Sequence, residues 1–209
     1  MRNQLTNALL LALVSGTAGA SSAADIIGEA RALGGEELLY REMHACNETK
    51  SQCEITYVDA SGETIGVKSL DYSTALPAPT VTMRDLRRGK TTTSPTGLKP
   101  DVVVDAGFDH FIRQSWDALS AGDEVAFPFL VLGRSKPLGM RVTNSGAACE
   151  EGLTCLSVSL DAWWLAMLTD NIELAYDSDR RLVRFSGLSN IPDAQGQGQN
   201  VEIRYRYAD

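Results

Sequence analysis

The feature that most constrains this chain is a two-residue alternation that runs through nearly all of it. At the C-terminus, Val201, Ile203, Tyr205 and Tyr207 alternate with Glu202, Arg204 and Arg206. Leu156, Val158 and Leu160 alternate with Ser157 and Ser159 in the same way. Successive side chains of a strand point to opposite faces, so each segment reads as a strand with one apolar face. The same reading covers Glu37–Ala45, Glu54–Asp59, Glu63–Leu70, Thr80–Asp85, Asp101–Asp105, Gly139–Thr143, Asn171–Asp177 and Arg181–Ser186. Glu124–Leu132 (EVAFPFLVL) is apolar on both faces and is expected to be the most buried strand, with Pro128 marking a bulge or a sheet edge. The polar run Arg87–Lys99 reads as an exposed connection.

One stretch breaks the alternation. In DAGFDHFIRQSWDALSAGD, residues Phe108, Phe111, Ile112, Trp116 and Leu119 fall on one helical stripe, and Asp109, Arg113, Asp117 and Ser120 lie opposite. Asp105 is the expected N-cap and Gly122 the stop. About ten one-faced strands with one amphipathic helix and a second short helix point to an α+β fold. We expect a curled antiparallel sheet, a half-barrel or open barrel, whose concave apolar face the helices cover.

The N-terminus sets the compartment. MRNQ carries one positive charge and is followed by the apolar run Ala8–Val14, then by small residues with cleavage expected after Ala20 or Ala24. This is the layout of a secretory signal peptide, and the run is too short to span a bilayer. Residues 25–209 then form a single β-rich domain of roughly 185 residues, exported to the periplasm. The formal net charge is −8, and it becomes one unit more negative when a segment holding Arg2 and no acid is removed. Phosphate backbones and anionic lipid surfaces repel such a chain, so no nucleic-acid partner is expected, and no other apolar run is long enough to span a bilayer.

Four cysteines in an oxidising compartment read as disulfides. Proximity favours Cys46–Cys53 and Cys149–Cys155, bracketing NETKSQ and EEGLT between strand-like sequences. Each small ring is worth roughly 2.5 kcal/mol by the loop-entropy model. A zinc site fits the spacings poorly, and free or redox-active thiols are the remaining alternative.

Catalytic signatures are sparse. There is no G-x-S-x-G elbow, H-E-x-x-H, C-x-x-C or EF-hand loop, so no catalytic residue, metal or cofactor is assigned. Gly133–Gly139 (GRSKPLG) lacks the Gly-Lys-Ser/Thr of a P-loop. A hydrolase would have to use His110 with Asp109 or Asp105, yet adjacent helical residues diverge by about 100° and cannot orient one another. His44 reads equally well as a surface residue. Arg84, Arg87, Arg88 and Lys90 form the one local excess of positive charge, a solvated loop or a landing place for an anionic group.

The segment SLDAWWLAML carries the adjacent Trp163 and Trp164. Burying one such ring removes roughly 150–250 Å² from water. Neighbouring residues cannot face one surface in either a helix or a strand, so one ring meets the core and the other meets the sheet rim, a cavity or a partner.

Several segments in order, GEARALGGEELLYREMH, G-x-x-x-x-V-K-S-L-D-Y, AGFDHFIRQSWDAL and IELAYDSDRRLVRFSGLSNI, resemble an uncharacterised family of exported proteobacterial proteins. The resemblance implies export and a single domain. The strand–helix order is also similar to periplasmic lipoprotein carriers of the LolA/LolB type, curled sheets with an apolar concave face for acyl chains. The function expected is non-enzymatic binding of a hydrophobic or amphiphilic, lipid-like ligand between sheet and helix. Its walls would be Phe108, Phe111, Ile112, Trp116, Phe127, Phe129, Trp163 and Trp164. The alternative is an envelope protein with a filled core that acts through a surface patch on a protein partner.

Overall fold

The strands predicted from alternation pair in chain order into one very wide sheet. The computed structural model describes residues 24–146, 149–161 and 171–208. Its strands are β1 (Ile26–Ala32), β2 (Leu38–Cys46), β3 (Gln52–Asp59), β4 (Thr64–Asp71), β5 (Thr80–Asp85), β6 (Lys90–Thr93) and β7 (Val103–Val104). Helices α1 (Gly107–Gln114) and α2 (Trp116–Ala121) follow. The chain closes with β8 (Val125–Leu130), β9 (Leu138–Asn144), β10 (Thr154–Leu160), β11 (Ile172–Tyr176), β12 (Leu182–Leu188) and β13 (Asn200–Tyr207). The sheet order is β6-β5-β4-β3-β2-β1-β13-β12-β11-β10-β9-β8-β7. The α+β class and the large open sheet are as expected, but thirteen strands replace about ten.

The additional strands lack the signal that marks the others. β1 places Gly28, Ala30 and Ala32 on its inner face, where alternation shows no large side chains. Gly28 is small for a reason: a Cβ there would stand 2.8 Å from the Tyr205 ring. β6 is KTTT, four residues with no apolar side, inside the run expected to be a loop. Every pairing is antiparallel except that of β7 with β8, which is parallel.

Connectivity forces the curl. β6 and β7 are consecutive in the chain but stand at opposite ends of the sheet. Ten residue steps from Thr93 to Val103 can span at most about 36 Å, whereas thirteen flat strands would measure roughly 57 Å across. The sheet therefore bends until its ends approach. The Val104 N–H donates to the Pro77 carbonyl between β4 and β5 at 2.9 Å, and Lys68 of β4 reaches Asp105, just after β7, at 2.6 Å. β6 and β7 do not pair with each other, so the curl stays open.

Two apolar clusters fill the concave side. The first joins Tyr40, Ile55, Tyr57, Leu70 and Val81 to Val102, Val104 and Leu130 from the far end of the sheet. In the second, Ile112 and Leu119 of the helices pack on Val142, Leu156, Val158, Leu174 and Tyr176. Burying Ile112 completely stabilises the contact by roughly 1.5–3 kcal/mol.

The helix differs from the expectation in two ways. It breaks at Ser115, whose N–H is shared between the carbonyls of Phe111 (3.0 Å) and Ile112 (3.1 Å). Its N-cap is Ala106, while the Asp105 carboxylate expected to cap it is drawn inward to Lys68. β8 lies beneath α1 as expected but is not the most buried strand, since Val125, Pro128 and Phe129 are half-buried and Ala126 is exposed. β7 pairs with β8 only from Phe129 onward, so Pro128 lacks an N–H where none is needed on that side.

Both expected disulfides are present. Cys46 and Cys53 are directly opposed in β2 and β3. Cys155 lies in β10, but Cys149 stands in the preceding turn, not on a partner strand as the flanking sequence suggested. Among the described residues no helix is long and apolar enough to cross a membrane. The signal segment, residues 1–23, lies outside the described residues, as do Trp163 and Trp164.

Candidate functional site

Four of the eight wall residues come together where α1 crosses β8. Residues 108 and 111 are one helical turn apart and share the face turned to the sheet. Residues 127 and 129 are two apart in a strand and share its concave face. The Phe111 ring lies 4.5 Å from that of Phe127, and Phe108 lies 5.6 Å from Phe127 and 5.8 Å from Phe129. Phe127 is buried, while Phe108, Phe111 and Phe129 keep an edge toward solvent. Ile112 lies beneath them, fully buried. Trp116 packs elsewhere, edge-on to Tyr176 at 5.4 Å and with the Arg180 guanidinium 5.4 Å from its ring.

β10 ends at Leu160 beside this cluster. Phe127 opposes Met140, and Met140 opposes Leu160, the last residue of β10. Asp161 is held there by its N–H to the Gly139 carbonyl at 2.8 Å and by an ion pair with Arg141. β11 begins at Ile172, half-buried against the same apolar cluster.

Behind the helix lies a buried ion pair whose lysine, Lys68, the sequence did not single out. Lys68 and Asp105 are both almost fully buried. Asp105 Oδ1 accepts from Lys68 Nζ at 2.6 Å and from the Ala106 N–H at 2.8 Å, while Oδ2 accepts from Asn190 at 3.3 Å. Asp105 also adopts a left-handed backbone, φ +43°, which Asp tolerates better than most residues. The turn from β7 into α1 is thus tied to β4 through one carboxylate.

Glu42 is buried on the same concave face, accepting from the Tyr205 hydroxyl and lying against His44 Nε2, each at 3.2 Å. Burial first, and the Glu42 carboxylate second, push the phenols of Tyr40, Tyr57 and Tyr205 up, so they stay protonated, and the Tyr205 hydroxyl donates to Glu42. His44 is therefore an inward, half-buried residue and not a surface one.

His110 does not assemble with the acids proposed for it. Its ring stands edge-on to Tyr72 at 4.8 Å. Asp109 is engaged by Arg113 and by the Tyr176 hydroxyl at 3.1 Å, and Asp105 by Lys68. Burial, and then the Arg113 guanidinium, hold the imidazole below its ordinary value against the opposing pull of Asp109. The unfolded chain takes up this proton near pH 6.5, but the folded protein does so only at lower pH. The stability contributed is present above about pH 6.5 and is lost as pH falls through the folded value. The melting temperature of the wild type should drop more steeply than that of His110→Gln between about pH 7.5 and about pH 5.5. Serine hydroxyls hold Asp59 and Asp71 below the usual carboxylate range, so these acids act only at more acidic pH. Parallel melting curves for the two proteins would contradict the assignment.

Comparison with protein-family models, with curated proteins and with solved structures finds no match to this chain.

Proposed function

We propose that this is an exported, non-enzymatic protein of the periplasm that binds a hydrophobic or amphiphilic ligand between the curled sheet and its helical cover. The observation that carries the reading is the group of phenylalanine rings at the α1–β8 crossing, three of which keep an edge toward solvent. These three rings are half-buried, and the apolar edge they leave open is where an apolar ligand would seat. α1 and α2 have eight and six residues, too short to be stable alone, so the cover is held in place by its packing on the sheet. The similarity in strand–helix order to the LolA/LolB-type carriers points the same way at the level of architecture.

The competing reading is an envelope interaction protein with a filled core, and the 4.5 Å approach of Phe111 to Phe127 favours it. Native mass spectrometry of protein isolated from its own envelope without organic solvent separates the two. A bound mass that organic extraction removes is the expected result. The bare polypeptide mass before extraction would favour the filled core.

A further inference from the structure

The loop between β12 and β13, residues 189–199, reaches across one end of the curled sheet. Five strands stand between β5 and β12, and every pairing along the way is antiparallel. The number of pairings is even, so the two strands run in the same direction and the turns that follow them emerge at the same end. Laid flat, β5 and β12 would stand roughly 29 Å apart. Pro192 is four residues beyond Leu188 and reaches at most about 14 Å. The curl closes the difference. Arg87 of the β5–β6 turn donates to the Pro192 carbonyl at 2.6 Å, and Arg88 lies against Gly196, where a Cβ would stand 2.5 Å from its Nη1.

On its inner side the same loop fills the end of the first apolar cluster. Ile191 is 2 % exposed and belongs to that cluster. Ser189 Oγ lies 2.7 Å from the Tyr40 hydroxyl, and Asn190 donates to Asp105 at 3.3 Å. Asp105 immediately precedes the N-cap of α1, so the loop meets the sheet and the helical cover where they join. Its outer part is a self-contained turn: the Asp193 carboxylate accepts from the N–H groups of Gln195 and Gln197, and the Asp193 N–H donates to the Gln197 carbonyl. Among the described residues, three hydrogen bonds join the loop to other elements, those to Tyr40, Asp105 and Arg87. None of them belongs to a strand pairing, and the last pair of the hairpin, Leu188 with Asn200, lies outside the loop.

We propose that residues 189–199 form a gate at this end of the concave interior, latched by Arg87. Opening swings the Asp193 turn away from the β5–β6 turn, withdraws Ile191 from the apolar cluster and uncovers Tyr40 and Asp105. A segment held by so few links opens locally while the strands stay paired. Asp105 keeps Lys68 and the Ala106 N–H when Asn190 departs, so opening strands no buried charge. This assignment rests on the binding reading above and names the entrance through which a ligand reaches the space between sheet and helix.

Amide hydrogen exchange of the full mature chain, followed by NMR without ligand, tests the gate. The Ile191 amide is expected to exchange faster than those of Val201 and Ile203 in β13. Arg87→Ala removes an exposed side chain that makes one hydrogen bond to the loop. It should speed Ile191 exchange about fivefold and leave Val201 and Ile203 unchanged, and Arg87→Lys should restore the slower rate. Oleate is the probe for entry. Its association rate, read by stopped-flow tryptophan fluorescence, should rise by about the same factor in Arg87→Ala, because entry scales with the open population. An Ile191 amide that exchanges no faster than Val201 and Ile203, or at the wild-type rate in Arg87→Ala, would overturn the gate. An oleate association rate unchanged in Arg87→Ala would overturn the loop as the entrance and leave the binding reading standing. A wild type that binds no oleate would count against the binding reading, while exchange in the free protein still decides the gate.

Discussion

Lys68→Met is expected to lower the stability of the folded protein by about 3–5 kcal/mol, measured by urea unfolding at neutral pH. Methionine fills much of the same volume and adds no strain, so the loss isolates the charge. What remains is the Asp105 carboxylate, almost fully buried, with only the Ala106 N–H and Asn190 as donors. An uncompensated buried charge is far more costly than a missing surface ion pair. The double variant Lys68→Met/Asp105→Asn removes the stranded charge and keeps a side chain that tolerates a positive φ. It should recover more than half of the loss. If Lys68→Met costs less than about 1 kcal/mol, water reaches the pair and it does not tie the helix to the sheet.

Gly107→Ala is expected to cost about 3 kcal/mol or more, and to do so by lifting the helix. The new Cβ would fall 2.2 Å from the Pro77 carbonyl oxygen, 2.5 Å from its carbon and 2.6 Å from Pro79 Cδ. The first two atoms are backbone and cannot rotate aside. The same carbonyl accepts the Val104 N–H, so moving it also breaks a link between the two ends of the sheet. Either the helix N-terminus shifts or this link breaks, and the Phe108 and Phe111 rings lose their seat on β8 in both cases. Gly35→Ala is the control, because its Cβ would make only ordinary 3.6 Å contacts with Ala32. It should change stability by less than about 0.5 kcal/mol. A wild-type melting curve for Gly107→Ala would mean that α1 does not pack against the Pro77–Pro79 segment.

The strands legible in the sequence were those with large side chains on one face and charged or hydroxyl side chains on the other. The Val201–Tyr207 and Leu156–Leu160 segments are of this kind, and both form strands where expected. β1 and β6 escaped because alternation carries no information when the inner residues are Gly and Ala or when the whole strand is Lys and Thr. β4 shows a different limit. Pairing puts Gly66, Lys68 and Leu70 opposite Tyr57, Ile55 and Cys53 on the concave face, and Ile65 at the register shift joins the same cluster. The pairing shifts between Tyr57 and Val58, and both faces of β4 are covered, so a buried lysine sits among apolar neighbours. The helical stripe correctly identified Phe108, Phe111 and Ile112 as inward-facing. It could not separate Trp116, because the break at Ser115 sends α2 toward Tyr176. Arg84, Arg87 and Lys90 adjoin in sequence, whereas the approach of Gly133 in the β8–β9 turn to Thr92 of β6 depends on the curl.

The most direct test of ligand binding at the α1–β8 crossing is native mass spectrometry of two proteins isolated side by side from the envelope without organic solvent. One is the wild type and the other is Phe108→Ser, a change at a half-buried ring whose folded state is verified by near-ultraviolet circular dichroism. The account predicts a bound mass on the wild type that organic extraction removes, and its loss or marked reduction on the folded variant. A wild type that carries no additional mass, or a variant that retains it in full, would contradict binding between this helix and the sheet.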